Sequence, residues 1–236
     1  MINNIFKCFG ITKNEVKNII SDIFASSEGV LITLVENGPE LTIKLESDND
    51  EKVLEKSSEI YKRIGNYIYA EEDISIYEAA FRLLKFNNLT LATAESITAG
   101  NIAASFVKNN DGASKVLLEG DIVYTNEAKM RMLGVTEETL ETYTDVSPET
   151  TYALALNLLE KTKANIVITT TGYASGMEDK NGLNFIAIGD KTKIDIFKNK
   201  FNGTRSEVIE TVTMAAFFYL IKKLRQNNFY FEKNLV

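Results

Sequence analysis

The sequence contains no histidine and no tryptophan, one cysteine and two prolines among 236 residues. Without imidazole there is no Ser/His/Asp triad, no Cys/His pair and no histidine-ligated zinc or iron centre. A general base at neutral pH must then be a lysine with a lowered pKa, a raised carboxylate, a tyrosine or a water. The single cysteine, Cys8, excludes an internal disulfide and any multi-cysteine metal cage, and it reads as a small buried hydrophobe. The 13 glycines never fall at G-x-G spacing, so neither a dinucleotide fingerprint nor a Walker loop is present. No metal and no cofactor is expected.

Long apolar runs are missing too. The strongest, "MAAFFYLI" at 214–221, is far shorter than the roughly 20 residues that cross a bilayer. The N-terminal "MINNIFKCFG" has no basic residue ahead of its apolar ones and no small-residue cleavage site, so it does not read as a secretory signal. A cytoplasmic location without membrane association is the expectation. A formal net charge of -7 argues against a phosphate-tracking groove, and nucleic acid is not an expected partner. Hydrophobic content of 44% with 25% charged residues fits a chain with a real core.

The periodicities divide the chain near its acidic "AEEDIS" at 70–75. Residues 1–72 read as a small α+β unit. "KNEVKNIISDIFAS" is a helix, and two β-rich runs separated by Asn37-Gly38-Pro39 form a hairpin. "NDEKVLEKSSEIYKRIG" is a second helix, with a stripe at Val53, Leu54, Ile60 and Tyr61. Residues 76–236 read as an α/β domain, a central sheet layered between helices. "ISIYEAAFRLLKFN" is a helix, "LTLATA" a strand and "AGNIAASFVKN" a helix. The β-rich "SKVLLEGDIVYT" then precedes a helical "NEAKMRML". Ser147 and Pro148 announce a helix through "PETTYALALNLLEK"; "NIVITTTG", "GLNFIAIGD" and "KIDIFKNKF" are strands, and the helix after "FNGTR" closes the chain.

Hydroxyls and one lysine gather at the ends of these elements. Ser114 follows a turn into a strand, Tyr124 closes that strand, and Lys129 lies in the next helix. Ten residues separate Ser114 from Tyr124, so an unbroken strand aims both at one face, although a bulge inverts that parity. A lysine desolvated beside a serine loses its proton more readily and can activate the hydroxyl. The competing reading makes Lys129 and Tyr124 surface residues and Ser114 a turn residue. "TLATAESITAG" at 90–100 places Ser96, Thr98 and Gly100 at a strand-to-helix junction, where either hydroxyl caps the helix or the free N–H groups bind an anion. "TTTGYASG" ends a strand at Thr171 and Gly172, and Arg205 starts the last helix, suited to a phosphate or carboxylate.

Together these segments resemble the C-terminal domain of the CinA family, the PncC-type nicotinamide-nucleotide amidohydrolases. "TLATAESITAG", "GASKVLLEGDIVYTNEAKMRMLGV", "VSPET", "TTTGYASG" and "FNGTR" match the family's segments in order over roughly residues 76–225. "FGITKNEV", the hairpin and "RIGNYIYAEEDIS" resemble the small KH-like domain that precedes it; the larger molybdopterin-binding-like domain of such proteins has no counterpart here. The resemblance implies hydrolysis of nicotinamide mononucleotide to nicotinate mononucleotide and ammonia. Ser114 would be the nucleophile and Tyr124 and Lys129 its assistants, with oxyanion donors near Gly112–Ser114. Ser96, Thr98, Gly100, Thr171, Gly172 and Arg205 would contact substrate. Two departures stand out: Ile97 and Ala99 replace a cysteine and a glycine, and the loop "GYASGMEDKNG" is shortened and lacks both family prolines. A second reading is therefore a non-catalytic nucleotide-binding or interaction protein of the same fold, linked to competence and DNA damage. A third is a single-strand nucleic-acid binder, but residues 1–70 carry eight basic against eleven acidic residues and no G-x-x-G loop. A homodimer is the expected oligomer.

Overall fold

A strand stands where the sequence reading placed none. In the computed structural model, which describes residues 2–27, 29–176 and 178–232, Ile2–Phe9 (β1) pairs antiparallel on one side with Glu40–Ser47 (β3) and on the other with Ile68–Ala70 (β4). Leu31–Asn37 (β2) completes an antiparallel sheet of order β2-β3-β1-β4. The hairpin forms as expected, with Asn37 opposite Glu40 and Gly38 at φ 57° in the two-residue turn.

Helix Lys13–Ile19 (α1) starts on a reciprocal capping box between Thr12 and Glu15. The single helix expected over 13–26 is broken at Ile20, and a short Ser21–Ala25 (α2) follows. Asp50–Ile64 (α3) is capped by Asn49 and buries Val53, Ser57, Ile60 and Ile64. Its buried face is thus turned from the expected stripe, leaving Leu54 and Tyr61 exposed. The core of this unit joins Phe6, Cys8, Leu41, Ile43 and Leu45 of the sheet to Ile20, Ile23, Ile60 and Ile64 of the helices. Burying each such side chain stabilises by roughly 1.5–3 kcal/mol. Cys8 is the expected buried hydrophobe, and burial pushes its thiol up to about 12. The buried Tyr69 donates its hydroxyl to Glu40, which also pairs with Lys7 at 2.6 Å.

The chain divides into two compact units, Met1–Ala79 and Ala80–Val236. Helix Ile76–Phe86 (α4) carries the chain into the second, whose further elements are Leu91–Glu95 (β5), Asn101–Asn109 (α5), Leu117–Ile122 (β6), Asn126–Leu133 (α6), Glu137–Tyr143 (α7), Pro148–Thr162 (α8), Ile166–Gly172 (β7), Leu183–Gly189 (β8), Ile194–Lys200 (β9) and Arg205–Glu232 (α9). The sheet order is β6-β5-β7-β8-β9. β5 runs parallel to both β6 and β7, whereas β7–β8 and β8–β9 are antiparallel.

β5 is buried throughout, which suits a strand covered on both faces. Ala92 and Ala94 join Leu154, Leu158 and Val167 in one layer with α8. Elsewhere Phe106 of α5 stacks on Phe217 of α9 at 5.9 Å between centroids, with Phe81 edge-on to Phe106 at 5.8 Å. Among the described residues no helix is long and apolar enough to cross a membrane.

Candidate functional site

Parallel strands end on a common edge, and β5, β6 and β7 deliver three consecutive segments there. Ser96 follows β5, Tyr124 lies two residues beyond β6, and Tyr173 follows β7. The register fixes the alignment, since Glu95 is level with Ile122 on one side and with Thr170 on the other. This carboxyl edge is where open α/β sheets take ligands. A cleft of about 190 Å³ opens on it, lined by Ser96, Tyr124, Asp145, Gly172, Tyr173, Ser175 and Arg205, with Ile97 and Ala174 between them.

Two larger hollows, about 570 and 540 Å³, lie elsewhere. The first is lined by Phe81, Lys85, Asp111 and Lys115 and the second by Tyr152, Leu156, Lys191 and Lys193, and neither contains a predicted site residue other than those of the Asp111–Gly112 turn. The smaller cleft is the candidate site because serine, phenol, carboxylate and guanidinium converge in it.

Arg205 opens α9 and reaches across the cleft. Its Nη2 donates to the Tyr124 hydroxyl at 3.0 Å and its Nη1 to Ser175 Oγ at 3.1 Å. Both acceptors are neutral, so the guanidinium keeps its charge for a ligand. Gly172 has no room for a side chain. A Cβ there would stand 2.7 Å from Ile97 Cδ1 and 2.8 Å from the Leu183 carbonyl oxygen. The shortened loop after Gly172 closes at its base, Tyr173 N–H donating to Leu183 at 2.9 Å and Gly182 N–H to Tyr173 at 2.7 Å. Met177 of that loop lies outside the described residues.

The opening of α5 differs from both sequence readings. Neither Ser96 nor Thr98 caps the helix, and the N–H groups are not open to an anion. The Glu95 carboxylate, 1% exposed, accepts from Gly100 N at 3.0 Å, Ile102 N at 2.9 Å and Ala103 N at 2.9 Å. The protein's own carboxylate thus fills the site where a ligand anion was expected. Gly100, at φ 96°, is part of that cap rather than of the cleft wall. Thr98 is committed to Thr170 at 2.9 Å and Thr171 to Thr151 at 2.8 Å, and both are buried outside the cleft lining. Of the six expected substrate contacts, Ser96, Gly172 and Arg205 line the cleft, and Thr98, Gly100 and Thr171 do not.

Lys129 is fully buried on α6, and its Nζ has no hydrogen-bond partner. Burial holds the amine below the ordinary lysine range, while Asp145, first, and Glu127 act in the opposite direction. A buried, unpaired ammonium is costly, so the neutral amine gains population: the property a lysine base requires. Asp145 links the amine to the cleft, which it lines, and its charge also raises the Tyr173 phenol, after burial. The sequence reading assigned no role to Asp145, Tyr173, Ser175 or Glu95. Two of them lay in plain view, Tyr173 and Ser175 within the altered loop "GYASG".

Ser114 is not in this place. It sits exposed in a 3-10 turn, Ala113–Lys115, before the amino end of β6, whereas Tyr124 lies beyond the carboxyl end of that strand. A strand of this length spans about 17–20 Å. The even spacing from Ser114 to Tyr124 gives a shared face only if one strand joins them, and β6 covers just Leu117–Ile122. Ser114 and the N–H groups of Gly112–Ser114 therefore belong to the opposite edge of the sheet, and the serine that shares a cleft with Tyr124 is Ser96. Among the described residues no three Cys, Asp or Glu side chains form a group able to hold a metal ion.

The fold and the cleft can now be set beside known proteins. Residues 73–224 match the family model described as the CinA C-terminal domain. A protein of Clostridioides difficile (strain 630) named as competence-damage inducible is 35% identical over 225 residues, covering 88% of this chain and 54% of the relative. One from Clostridium beijerinckii is also 35% identical, over 88% of this chain and 53% of its own length. The chain thus spans about half the length of the curated relatives it matches. Among solved structures, a CinA superfamily protein from Klebsiella pneumoniae 700603 superposes with a TM-score of 0.61 at 28% identity, over 64% of this chain and 96% of that one. A competence/damage inducible protein from Agrobacterium tumefaciens gives 0.59 at 31%, over 64% and 95%. The family model covers the domain that carries the cleft, and through it the chain belongs to the CinA family.

Proposed function

We propose that this chain hydrolyses the carboxamide of nicotinamide mononucleotide to nicotinate mononucleotide and ammonia, with Ser96 rather than Ser114 as the nucleophile. The observation that carries the reading is the convergence of Ser96, Tyr124 and Arg205 in one cleft, with the partnerless amine of Lys129 buried behind its Asp145 wall. The neutral Lys129 amine takes the Ser96 proton, by way of the Tyr124 phenol, as Oγ attacks the amide carbon. The N–H groups of Ile97 and Thr98, next in the turn, are the proposed donors to the oxyanion. Collapse expels ammonia, which takes the proton back from the lysine, and leaves a serine ester. Water then cleaves that ester, and nicotinate mononucleotide departs. Arg205 binds the phosphate.

Production of ammonia and nicotinate mononucleotide in equal amounts by the purified protein, with a chelator present, tests the reading. Hydroxylamine should divert the ester to a hydroxamate. Failure of the wild-type protein to convert the nucleotide at all would favour the non-catalytic binding role that the Ile97 and Ala99 substitutions and the altered loop leave open.

A further inference from the structure

Asp145 and Arg205 are the only charged residues lining the cleft among the described residues. Arg205 donates only to the neutral oxygens of Tyr124 and Ser175, and no described residue closes an ion pair with Asp145. Asp145 is nevertheless half-buried, held between the helix-ending turn at Thr144, φ 69°, and the N-cap Ser147 of α8. The cleft therefore carries one charge of each sign without an ion-pair partner on its lining. An uncharged ligand leaves both unanswered, an anion meets the carboxylate, and a cation meets the guanidinium. Only a ligand with a cationic and an anionic end satisfies the two.

We propose that Asp145 is a specificity-determining residue whose carboxylate selects a cationic aromatic ring, while Arg205 takes the anionic end of the same ligand. This rests on the reading of the cleft as a pyridine-nucleotide site and names the feature of the nucleotide that is recognised. The nicotinamide ring of the mononucleotide is quaternised at nitrogen and carries the positive charge; the phosphate carries the negative. Tyr124 and Tyr173 line the same cleft and supply aromatic surface, which also favours a cation. Lys129 acts electrostatically on the carboxylate, but its amine makes no hydrogen bond to it and does not line the cleft, so the cleft side of Asp145 is left for a ligand.

Reduced nicotinamide mononucleotide provides the probe, since it keeps the carboxamide, ribose and phosphate but has an uncharged ring. Calorimetric titrations of the Ser96→Ala protein, which holds substrate without turnover, should show the oxidised nucleotide binding about tenfold more tightly than the reduced one, as expected for one partly solvated charge pair. Asp145→Asn and Asp145→Ser should abolish the preference, Asp145→Glu should keep most of it, and Arg205→Gln should weaken both forms alike. A preference that survives in a folded Asp145→Asn or Asp145→Ser protein, or that is absent with Asp145 in place, overturns the inference while leaving the site reading intact. Binding of neither nucleotide, together with no ammonia from the wild-type protein, overturns both.

Discussion

Arg205 and Tyr124 are joined by a hydrogen bond of 3.0 Å that ties the start of α9 to the segment beyond edge strand β6. The contact spans 81 residues of sequence and closes one side of the cleft. Arg205→Ala should raise KM for the nucleotide by about 10- to 100-fold, the loss of one or two charge-assisted bonds, with a smaller change in kcat. Tyr124→Phe keeps the ring but removes the relay hydroxyl, so kcat should fall more than KM rises. Steady-state kinetics of the two variants separate binding from proton transfer.

Lys129 makes a prediction of opposite sign for stability and activity. Its folded pKa lies below the ordinary lysine value of 10.5 because burial penalises the ammonium. Between the lowered value and 10.5 the unfolded chain binds more protons at this site, so its contribution to stability increases as pH rises through that window and is constant on either side. Lys129→Met removes the buried charge and should stabilise the protein by about 1–3 kcal/mol near neutral pH, with a pH–stability curve flatter than wild type in the window. The same variant should lose amidohydrolase activity, and the acid limb of the wild-type kcat/KM profile should report an amine ionising below the ordinary lysine range. Denaturant titrations and rate profiles over the same pH series check both halves.

Glu95 holds the start of α5 and does not line the cleft. Its carboxylate holds three N–H groups at the α5 terminus. Glu95→Gln turns one acceptor oxygen into a donor facing those N–H groups, and should cost about 1–3 kcal/mol in a buried position. Activity measured well below the melting temperature should drop through a displaced Ser96 turn, and hydrogen exchange at Gly100, Ile102 and Ala103 should accelerate.

Ala99 adopts φ 50°, a left-handed conformation that costs an alanine about 1–2 kcal/mol. Glycine adopts it without that strain but loses about 0.5–1 kcal/mol more chain entropy on folding. Ala99→Gly should therefore stabilise by about 0.5–1 kcal/mol, read as a higher midpoint in urea.

The layered α/β architecture, the hairpin and the cap of α8 were legible because each has a local signal: period, turn residues, Ser147 before Pro148. β1 was not, since a strand that gains its meaning from partners at residues 40–47 and 68–70 carries little local mark beyond Phe6 and Cys8. Tyr124, Gly172 and Arg205 were singled out by their places at element ends, and these three lie in the cleft lining. Ser114 was named by the resemblance, with strand parity as weak support; parity says nothing about where a strand stops, and β6 begins after Ser114 and ends before Tyr124. Thr98, Thr171 and Gly100 fall outside the cleft lining for another reason: a hydroxyl or N–H near a strand end looks available until the partner that occupies it, here Thr170, Thr151 or Glu95, is known.

Two serines on opposite edges of one sheet make the decisive comparison. Ammonia release from nicotinamide mononucleotide by wild type, Ser96→Ala and Ser114→Ala, each shown to be folded, should fall by at least about a thousandfold for Ser96→Ala and stay within a few-fold of wild type for Ser114→Ala. The reverse pattern, or equal activity in both variants, would contradict the assignment of the cleft at the carboxyl edge as the catalytic centre.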